Sequence, residues 1–254
     1  MILAAHEPGF LPWLGYLDRM RQADLFIVLD HLPYNRCAYH NRARILLNGL
    51  PHWLTIPVMQ GLPDERIVDK RIAYPAIGRG RWGGCKLVRT LRYAYRQAPF
   101  FDVYAPGLLE ILASRPRRLV DLDRQMLTFL RMALDIRTPL INSSELNITG
   151  SRSQLIVNLC LAAGADTYLA GMGRSRHYLD QSAFAAAGIK ISWPDFQHPV
   201  YGQGGNGAFV PGLSAIDLLF NHGPQSRQLL GGQLAECHPA SFPRRAAVTL
   251  QQRL

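Results

Sequence analysis

The stretch ILAAHEPGFLPWLGYLDRMRQADLFIVLD, residues 2–30, decides the fold. Its first apolar run ends before Pro8, apolar side chains then recur at helical spacing over residues 13–20, and β-favouring residues occupy 25–29. This order predicts a strand, a loop, a helix and a second strand. Because a helix connects the two strands, we expect them to lie parallel in one sheet.

Polar side chains are concentrated where these two predicted strands end. Open parallel sheets bind their ligands at the carboxyl ends of the strands, so a site is expected there. The HEPG turn supplies one group of residues, and the segment HLPYNRCAYHNRARI, residues 31–45, supplies another. The residues predicted at these ends are His6, Glu7, Asp30, His31, Tyr34, Asn35, Arg36, His40, Asn41, Arg42 and Arg44.

The remaining chain predicts a second β-α-β half. Its strands are predicted at residues 166–170 and 189–193, and further short strands are predicted at residues 52–58, 66–74 and 140–141. Helices are predicted at residues 87–98, 108–113, 119–134 and 151–163. We therefore expect a single α/β domain over residues 1–254. It would be Rossmann-like, with a largely parallel sheet, flanking helices and a central helical segment at about 85–135 inserted between the two halves.

Two glycine-containing loops carry further candidate site residues. The loop GMGRSRHYLD follows a predicted strand, and a glycine turn beside paired arginines can bind a phosphate. The loop FQHPVYGQGGNGAFVPG, residues 196–212, has too many glycines and prolines for regular structure and can approach a ligand closely. After it, Ser214 is predicted to cap a helix in a capping box with Asp217. The two loops add Gly171, Gly173, Arg174, Arg176, His177, His198, Tyr201 and Gln203 to the candidate residues.

The composition, 48% hydrophobic and 18% charged residues, is typical of a soluble globular protein. No apolar run approaches the ~20 residues that span a bilayer, and Glu7 and two prolines come too early for a signal peptide. We therefore expect a cytoplasmic protein without a membrane span.

The formal net charge of +10 comes mostly from arginine, so an anionic partner is expected. A nucleic acid, a nucleotide sugar or an acidic carrier protein would each match this charge. The four cysteines are scattered without a CxxC pair, which predicts free thiols, no disulfide framework and no zinc site. We expect no resident metal.

Several motifs occur in an order that resembles the WbqC family of bacterial proteins. They run from Ile2 to Gly223, almost the whole chain. In sequence they read HEPGFLPWLGYLDRM with ADLFIVLD, YHNRARI, HWLTIPV, the tryptophan of RWGGCKL with AYRQAPFF, SSEL, GADTYLAG followed by RHYLD, and HPVYGQ with FVPGLSAIDLLFNHG. Two positions depart from the family pattern: Glu7 stands where the family has glutamine, and Gly84 and Cys85 stand where it commonly has Lys-His.

The resemblance implies amide formation in the biosynthesis of surface polysaccharides or secondary products. An activated acyl or aminoacyl group would move from a carrier-protein thioester or similar donor onto an amine such as an amino sugar. The expected partners are a small-molecule amine acceptor and, as a further candidate, an acidic acyl or peptidyl carrier protein. No DNA and no cofactor are expected, and the oligomeric state stays open.

Such a transfer needs a base and sometimes a nucleophile. His6 is the first candidate base because it directly follows the first strand, and Glu7 or Asp30 would orient it. His198 is the second candidate. Cys85 is the candidate nucleophile because it opens a predicted helix beside positive charge, which lowers a thiol pKa, whereas Cys160 falls on an apolar helix face and is expected to be inert.

Two alternatives stay open. The strand, HEPG turn and helix are distantly similar to adenylate-forming ligases and nucleotidyltransferases, which would require ATP and magnesium. The second alternative is a non-catalytic protein that binds an acidic carrier or a nucleotide sugar through its basic surface.

Overall fold

A computed structural model describes residues 1–74, 86–171, 179–204 and 207–231. Its strands are β1 (Ile2–His6), β2 (Leu25–Val28), β3 (Arg42–Leu47), β4 (Leu50–Thr55), β5 (Leu140–Asn142), β6 (Thr167–Leu169) and β7 (Lys190–Ser192). Five of them form a parallel sheet in the order β5-β2-β1-β6-β7. The mostly parallel sheet and its helices confirm the predicted α/β, Rossmann-like fold.

Helices cover both faces of this sheet. They are α1 (Leu14–Arg21), α2 (Lys86–Tyr95), α3 (Phe101–Ala113), α4 (Leu119–Ala133), α5 (Arg152–Ala163), α6 (Gln181–Ala186), α7 (Ala215–His222) and α8 (Ser226–Leu230). Alternate β1 side chains enter two cores: Leu3 packs with residues of α5 and α6, and Ala4 packs with residues of α1, α4 and α7. Burial on both faces explains why β1 has a continuous apolar sequence.

The strand order places a topological switch point between β1 and β6. From β1 the chain moves to β2 and β5 on one side, whereas β6 and β7 lie on the other. Ligands of open parallel sheets bind at such a point, beyond the carboxyl ends of the strands. His6, which ends β1, and Gly171, which follows β6, lie at this edge.

Three local predictions were wrong. Residues 42–47 were expected to bind ligand and instead form β3, which pairs antiparallel with β4 in a separate hairpin. Strand β4 itself overlaps the strand predicted at 52–58 and confirms it. The predicted strand at 66–74 contains a 3-10 turn at Ile67–Asp69 and isolated bridges instead. The helix predicted at 108–113 is longer, since α3 begins at Phe101. The prediction started after Pro106 because proline usually marks a helix boundary, but α3 contains Pro106 in its interior.

Within the described ranges, no helix is long and apolar enough to cross a membrane.

Candidate active site

His6 lies at the end of the central strand, held in one tautomer by its neighbour. Its Nδ1 atom is 2.9 Å from the backbone carbonyl oxygen of Glu7. Because a carbonyl oxygen only accepts hydrogen bonds, Nδ1 carries the proton, and Nε2 is the unprotonated nitrogen of the neutral ring. In this tautomer Nε2 of His6 can accept a proton, as a histidine that acts as a general base requires.

The surroundings of His6 favour its neutral form. His6 is exposed to solvent at the end of β1, and its ring also contacts neighbouring protein groups. Desolvation, followed by the nearby positive charge of Arg19, lowers the pKa of His6 to about 4. Arg19 is 4% exposed, and its guanidinium donates to the Ala5 carbonyl at 3.0 Å. The Tyr16 ring packs edge-on against the His6 ring, with centroids 5.0 Å apart.

Glu7 connects His6 to the segment that follows β2. Its Oε2 atom is 2.8 Å from Nε2 of His40, a side chain that is almost fully buried. This hydrogen bond is the main reason that the pKa of Glu7 is lowered. The ring of Tyr34 packs on His40, and the Lys70 ammonium lies 4.7 Å from the Tyr34 ring centroid. We call His6, Glu7 and His40 the His6 cluster.

Of the two residues expected to orient His6, Glu7 contacts its ring and Asp30 binds other partners. Glu7 orients His6 through its backbone carbonyl, and its carboxylate binds His40. Asp30 is 1% exposed and accepts hydrogen bonds from the Ser143 hydroxyl and from the backbone N–H and hydroxyl of Ser144, at 2.7–3.0 Å. These bonds fasten the turn after β5 to the end of β2.

The arginines of NRAR lie on one face of the β3–β4 hairpin. Arg42 donates to the carbonyls of Ala38 and Cys37, and its guanidinium lies 4.4 Å from the Trp53 ring centroid. Arg44 is half-buried, and none of the described residues accepts a hydrogen bond from its guanidinium. Arg44 is thus the better placed of the two to bind an anion.

Asn41 has a structural contact within the hairpin, whereas Tyr34 lies beside His40. Asn41 is 7% exposed and donates from Nδ2 to the carbonyl of Ile56 at 2.8 Å, which ties the start of β3 to the end of β4. Tyr34 is partly buried beside His40, which places it at the His6 cluster.

The HPVYGQ loop is tied to α7 by a buried network around Asp217. The Asp217 carboxylate accepts hydrogen bonds from Tyr95 at 2.9 Å, Tyr201 at 3.0 Å and Gln203 at 3.2 Å. Ser214 caps α7 as predicted, but the Asp217 side chain binds these donors instead of completing a capping box. Tyr201 and Gln203, candidates for substrate binding, therefore have internal partners.

His198 lies in an aromatic cage in the same loop. Its ring contacts Phe196, Tyr201 and Phe209, and its Nδ1 is 2.9 Å from the Pro199 carbonyl. Its Nε2 is buried without a partner among the described residues, and burial lowers the pKa of the ring. The tautomer therefore matches that of His6, and His198 stays the second candidate base.

Several candidate residues cannot be placed. Cys85, Gly173, Arg174, Arg176 and His177 lie outside the described residues. Of the described cysteines, Cys37 is exposed, whereas Cys160 is buried in the core as expected, where burial raises its pKa to about 12. The described parts of the chain hold no group of three or more His, Cys, Asp or Glu that could bind a metal ion.

Sequence reasoning missed Asp123, a buried acid near the His6 cluster. Asp123 is 2% exposed, and neither carboxylate oxygen has a partner among the described residues. A signal for it existed: it lies four residues after Leu119, on the apolar face of α4, where a charged residue is unexpected. Tyr16 was likewise missed, and its hydroxyl is buried without a described partner.

Comparison with known proteins places this architecture in a family. The model of the WbqC-like protein family matches residues 7–229, which include Glu7, His40 and the HPVYGQ loop. The chain belongs to the WbqC-like protein family. The uncharacterized protein Rv1507c of Mycobacterium tuberculosis is 30% identical over 231 residues, which are 90% of this chain and 96% of the relative. No solved structure matches the chain.

In this WbqC-like protein, the candidate residues offer three chemical capacities. A neutral imidazole can accept a proton at His6, an arginine that lacks a described partner can bind an anion at the hairpin, and a buried acid lies near both tyrosines that pack on the histidines. Of these three, the His6 imidazole is the group that can act as a general base.

Proposed function

We propose that this protein is a transferase that moves an activated acyl or aminoacyl group from a carrier-protein thioester or similar donor onto an amine acceptor. The product is an amide of surface-polysaccharide or secondary-product biosynthesis. The observation that carries the proposal is the hydrogen bond from Nδ1 of His6 to the Glu7 carbonyl, which leaves Nε2 free to accept a proton. The lowered pKa of His6 favours the neutral ring that this role needs.

In this proposal Nε2 of His6 takes the proton of the amine as the amine nitrogen attacks the thioester carbonyl. The C–N bond forms, the C–S bond breaks, and the proton passes from His6 to the departing thiolate. A base of this kind contributes typically 10²–10⁴-fold to a rate, as an order of magnitude. The step needs no cofactor, because the thioester supplies the activated carbonyl.

Arg44 is the proposed contact for an anionic part of a substrate, such as the phosphate of a nucleotide sugar or of a carrier's prosthetic group. Its guanidinium lacks a described hydrogen-bond partner, and the net charge of +10 favours association with anions. The backbone of Ser214 donates to the Arg44 carbonyl at 2.8 Å, which fixes the start of α7 beside this side chain.

The test is a turnover assay with N-acetylcysteamine thioesters of acyl and aminoacyl groups. The purified protein is mixed with a nucleotide amino sugar, and released thiol and amide product are followed with and without ATP and magnesium. We expect thiol release that requires the amine and does not require ATP. Pyrophosphate release that depends on ATP would instead support a ligase, and tight binding of these substrates without turnover would overturn catalysis.

A further inference from the structure

The outward face of the β3–β4 hairpin carries a tryptophan beside two arginines. Alternate residues of a strand share a face, so Arg42 and Arg44 point the same way, and the register places Trp53 directly opposite Arg44. The buried side chains of Ala43 and Leu54 form the other face, which packs into the core. Directly opposite side chains have Cβ atoms about 4.5–5.5 Å apart, so one small molecule can contact both Trp53 and Arg44.

The Trp53 ring is held in place without being covered. The Arg42 guanidinium lies 4.4 Å from the ring centroid and is itself fixed by its hydrogen bonds to the Cys37 and Ala38 carbonyls. The ring of Tyr39 packs against Trp53, with centroids 5.4 Å apart. Trp53 nevertheless stays 41% exposed and Tyr39 49% exposed. The two rings therefore present a preformed aromatic surface on which a planar group can stack.

Arg44 brings an unused positive charge to the same face. It is half-buried, and none of the described residues accepts a hydrogen bond from its guanidinium. The backbone of Gly212 passes close beside it, because a Cβ atom at Gly212 would lie 3.7 Å from Nη1 of Arg44. A guanidinium presents a planar fork of donors that matches phosphate oxygens. Arg44 is therefore suited to bind a phosphate at the edge of the aromatic surface.

This face of the hairpin is continuous with the His6 cluster. Tyr39 directly precedes His40, whose ring is bound to the Glu7 carboxylate. The Tyr39 carbonyl also accepts a hydrogen bond at 3.0 Å from the backbone N–H of Phe10, which lies in the turn after His6. A ligand on the aromatic surface is therefore held by a segment that is fastened to the turn after the candidate base.

We propose that the Trp53 platform, formed by Tyr39, Arg42, Arg44 and Trp53, binds a nucleoside diphosphate, whose base stacks on the exposed aromatic surface and whose phosphates bind Arg44. This inference deepens the proposed function and rests on it, because the nucleotide is then the part of a substrate by which that substrate is recognised. Every base has a π-face, so stacking beside a phosphate site recognises nucleotides as a class. An adenine coenzyme on the donor side and a pyrimidine nucleotide sugar on the acceptor side share this chemistry.

The test measures binding of UDP, ADP and inorganic pyrophosphate by calorimetry, without any acyl donor. The proteins compared are the wild type, Trp53→Leu, Trp53→Phe, Arg44→Gln and the control His52→Gln, which changes an exposed histidine whose side chain leaves the other side of β4.

We expect wild type and the control to bind at least one nucleoside diphosphate more tightly than pyrophosphate. Trp53→Leu should bind that nucleotide about tenfold or more weakly and bind pyrophosphate as wild type does, because only the nucleotide stacks. Arg44→Gln should weaken binding of both, since both use the guanidinium. Trp53→Phe keeps an aromatic ring and should retain most of the nucleotide affinity.

Two results would overturn the platform: nucleoside diphosphates that bind wild type no more tightly than pyrophosphate, or equal nucleotide affinity in Trp53→Leu and wild type. A loss in Trp53→Phe as large as in Trp53→Leu would also overturn it, because a disturbed hairpin and not lost stacking would then explain both. Preference for ADP would indicate a coenzyme and preference for UDP a nucleotide sugar, and either supports the platform.

These binding results are separable from the proposed reaction. Because no thioester is present, failure of acyl transfer would leave them unchanged. Conversely, amide formation by a wild-type protein that binds neither UDP nor ADP would reject the platform alone.

Discussion

Replacement of Tyr201 by phenylalanine tests whether the HPVYGQ loop is held by Asp217. The Asp217 side chain is fully buried and accepts three hydrogen bonds, one of them from the Tyr201 hydroxyl at 3.0 Å. Burial raises the pKa of Asp217, and the hydrogen bonds oppose that rise by stabilising the charged form. Tyr201→Phe removes one of these donors and leaves the ring packing in place.

The expected loss can be worked from these contacts. A hydrogen bond to a charged group contributes roughly 1.5–3 kcal/mol to the free energy of unfolding. For a chain of this size each kcal/mol corresponds to about 2–4 °C in Tm, so Tyr201→Phe should lower Tm by roughly 3–12 °C.

Thermal and urea unfolding of Tyr201→Phe and Tyr95→Phe provide the assay, because both variants remove a donor to Asp217. Tyr93→Phe is the matched control, since Tyr93 lies on α2 two residues before Tyr95 but is 59% exposed; its expected change is within about 0.5 kcal/mol. If Tyr201→Phe keeps wild-type stability but raises the KM for a substrate, the hydroxyl binds substrate and the reasoning is wrong.

Two further predictions concern the His6 cluster. Because the pKa of His6 is lowered to about 4, its base form persists down to that pH, and kcat at saturating amine should fall on the acid side near pH 4 rather than near 6.5; an acid limb near pH 6.5 would contradict the lowered pKa. Glu7→Gln, which installs the residue expected from the family pattern, removes a negative charge that raises the pKa of His6, so the acid limb should move to lower pH. A limb that is unmoved, or that moves to higher pH in this variant, would show that Glu7 does not act on the base.

The first β-α-β unit was predictable because local signals coincide there. The apolar run of β1, the break at Pro8 and the helical spacing of α1 all indicate the same structure. Strand β3 was missed because its alternation of Arg42, Ala43, Arg44 and Ile45 was interpreted as a ligand loop, although alternation of this kind is typical of a half-buried strand. The expectation of a single domain over residues 1–254 stays a prediction.

The candidate site was predictable only in part, because its partners are distant in sequence. The position of His6 follows from the strand, but the pairing of Glu7 with His40 spans 33 residues, and Tyr95 lies 122 residues from Asp217. Sequence patterns report which face of an element is apolar and do not report which polar groups meet across the fold. Asp123 is the exception, because its place on the apolar face of α4 can be predicted from the sequence and was not used.

The most direct test of the account is the amide-forming turnover of His6→Gln. The control is His52→Gln, which changes an exposed histidine of the β3–β4 hairpin. If Nε2 of His6 is the base, His6→Gln should lower kcat by about 10²–10⁴-fold while Tm stays close to that of wild type, and the control should keep wild-type turnover. Wild-type turnover in His6→Gln, or a loss that occurs only when His198 is replaced, would contradict the account.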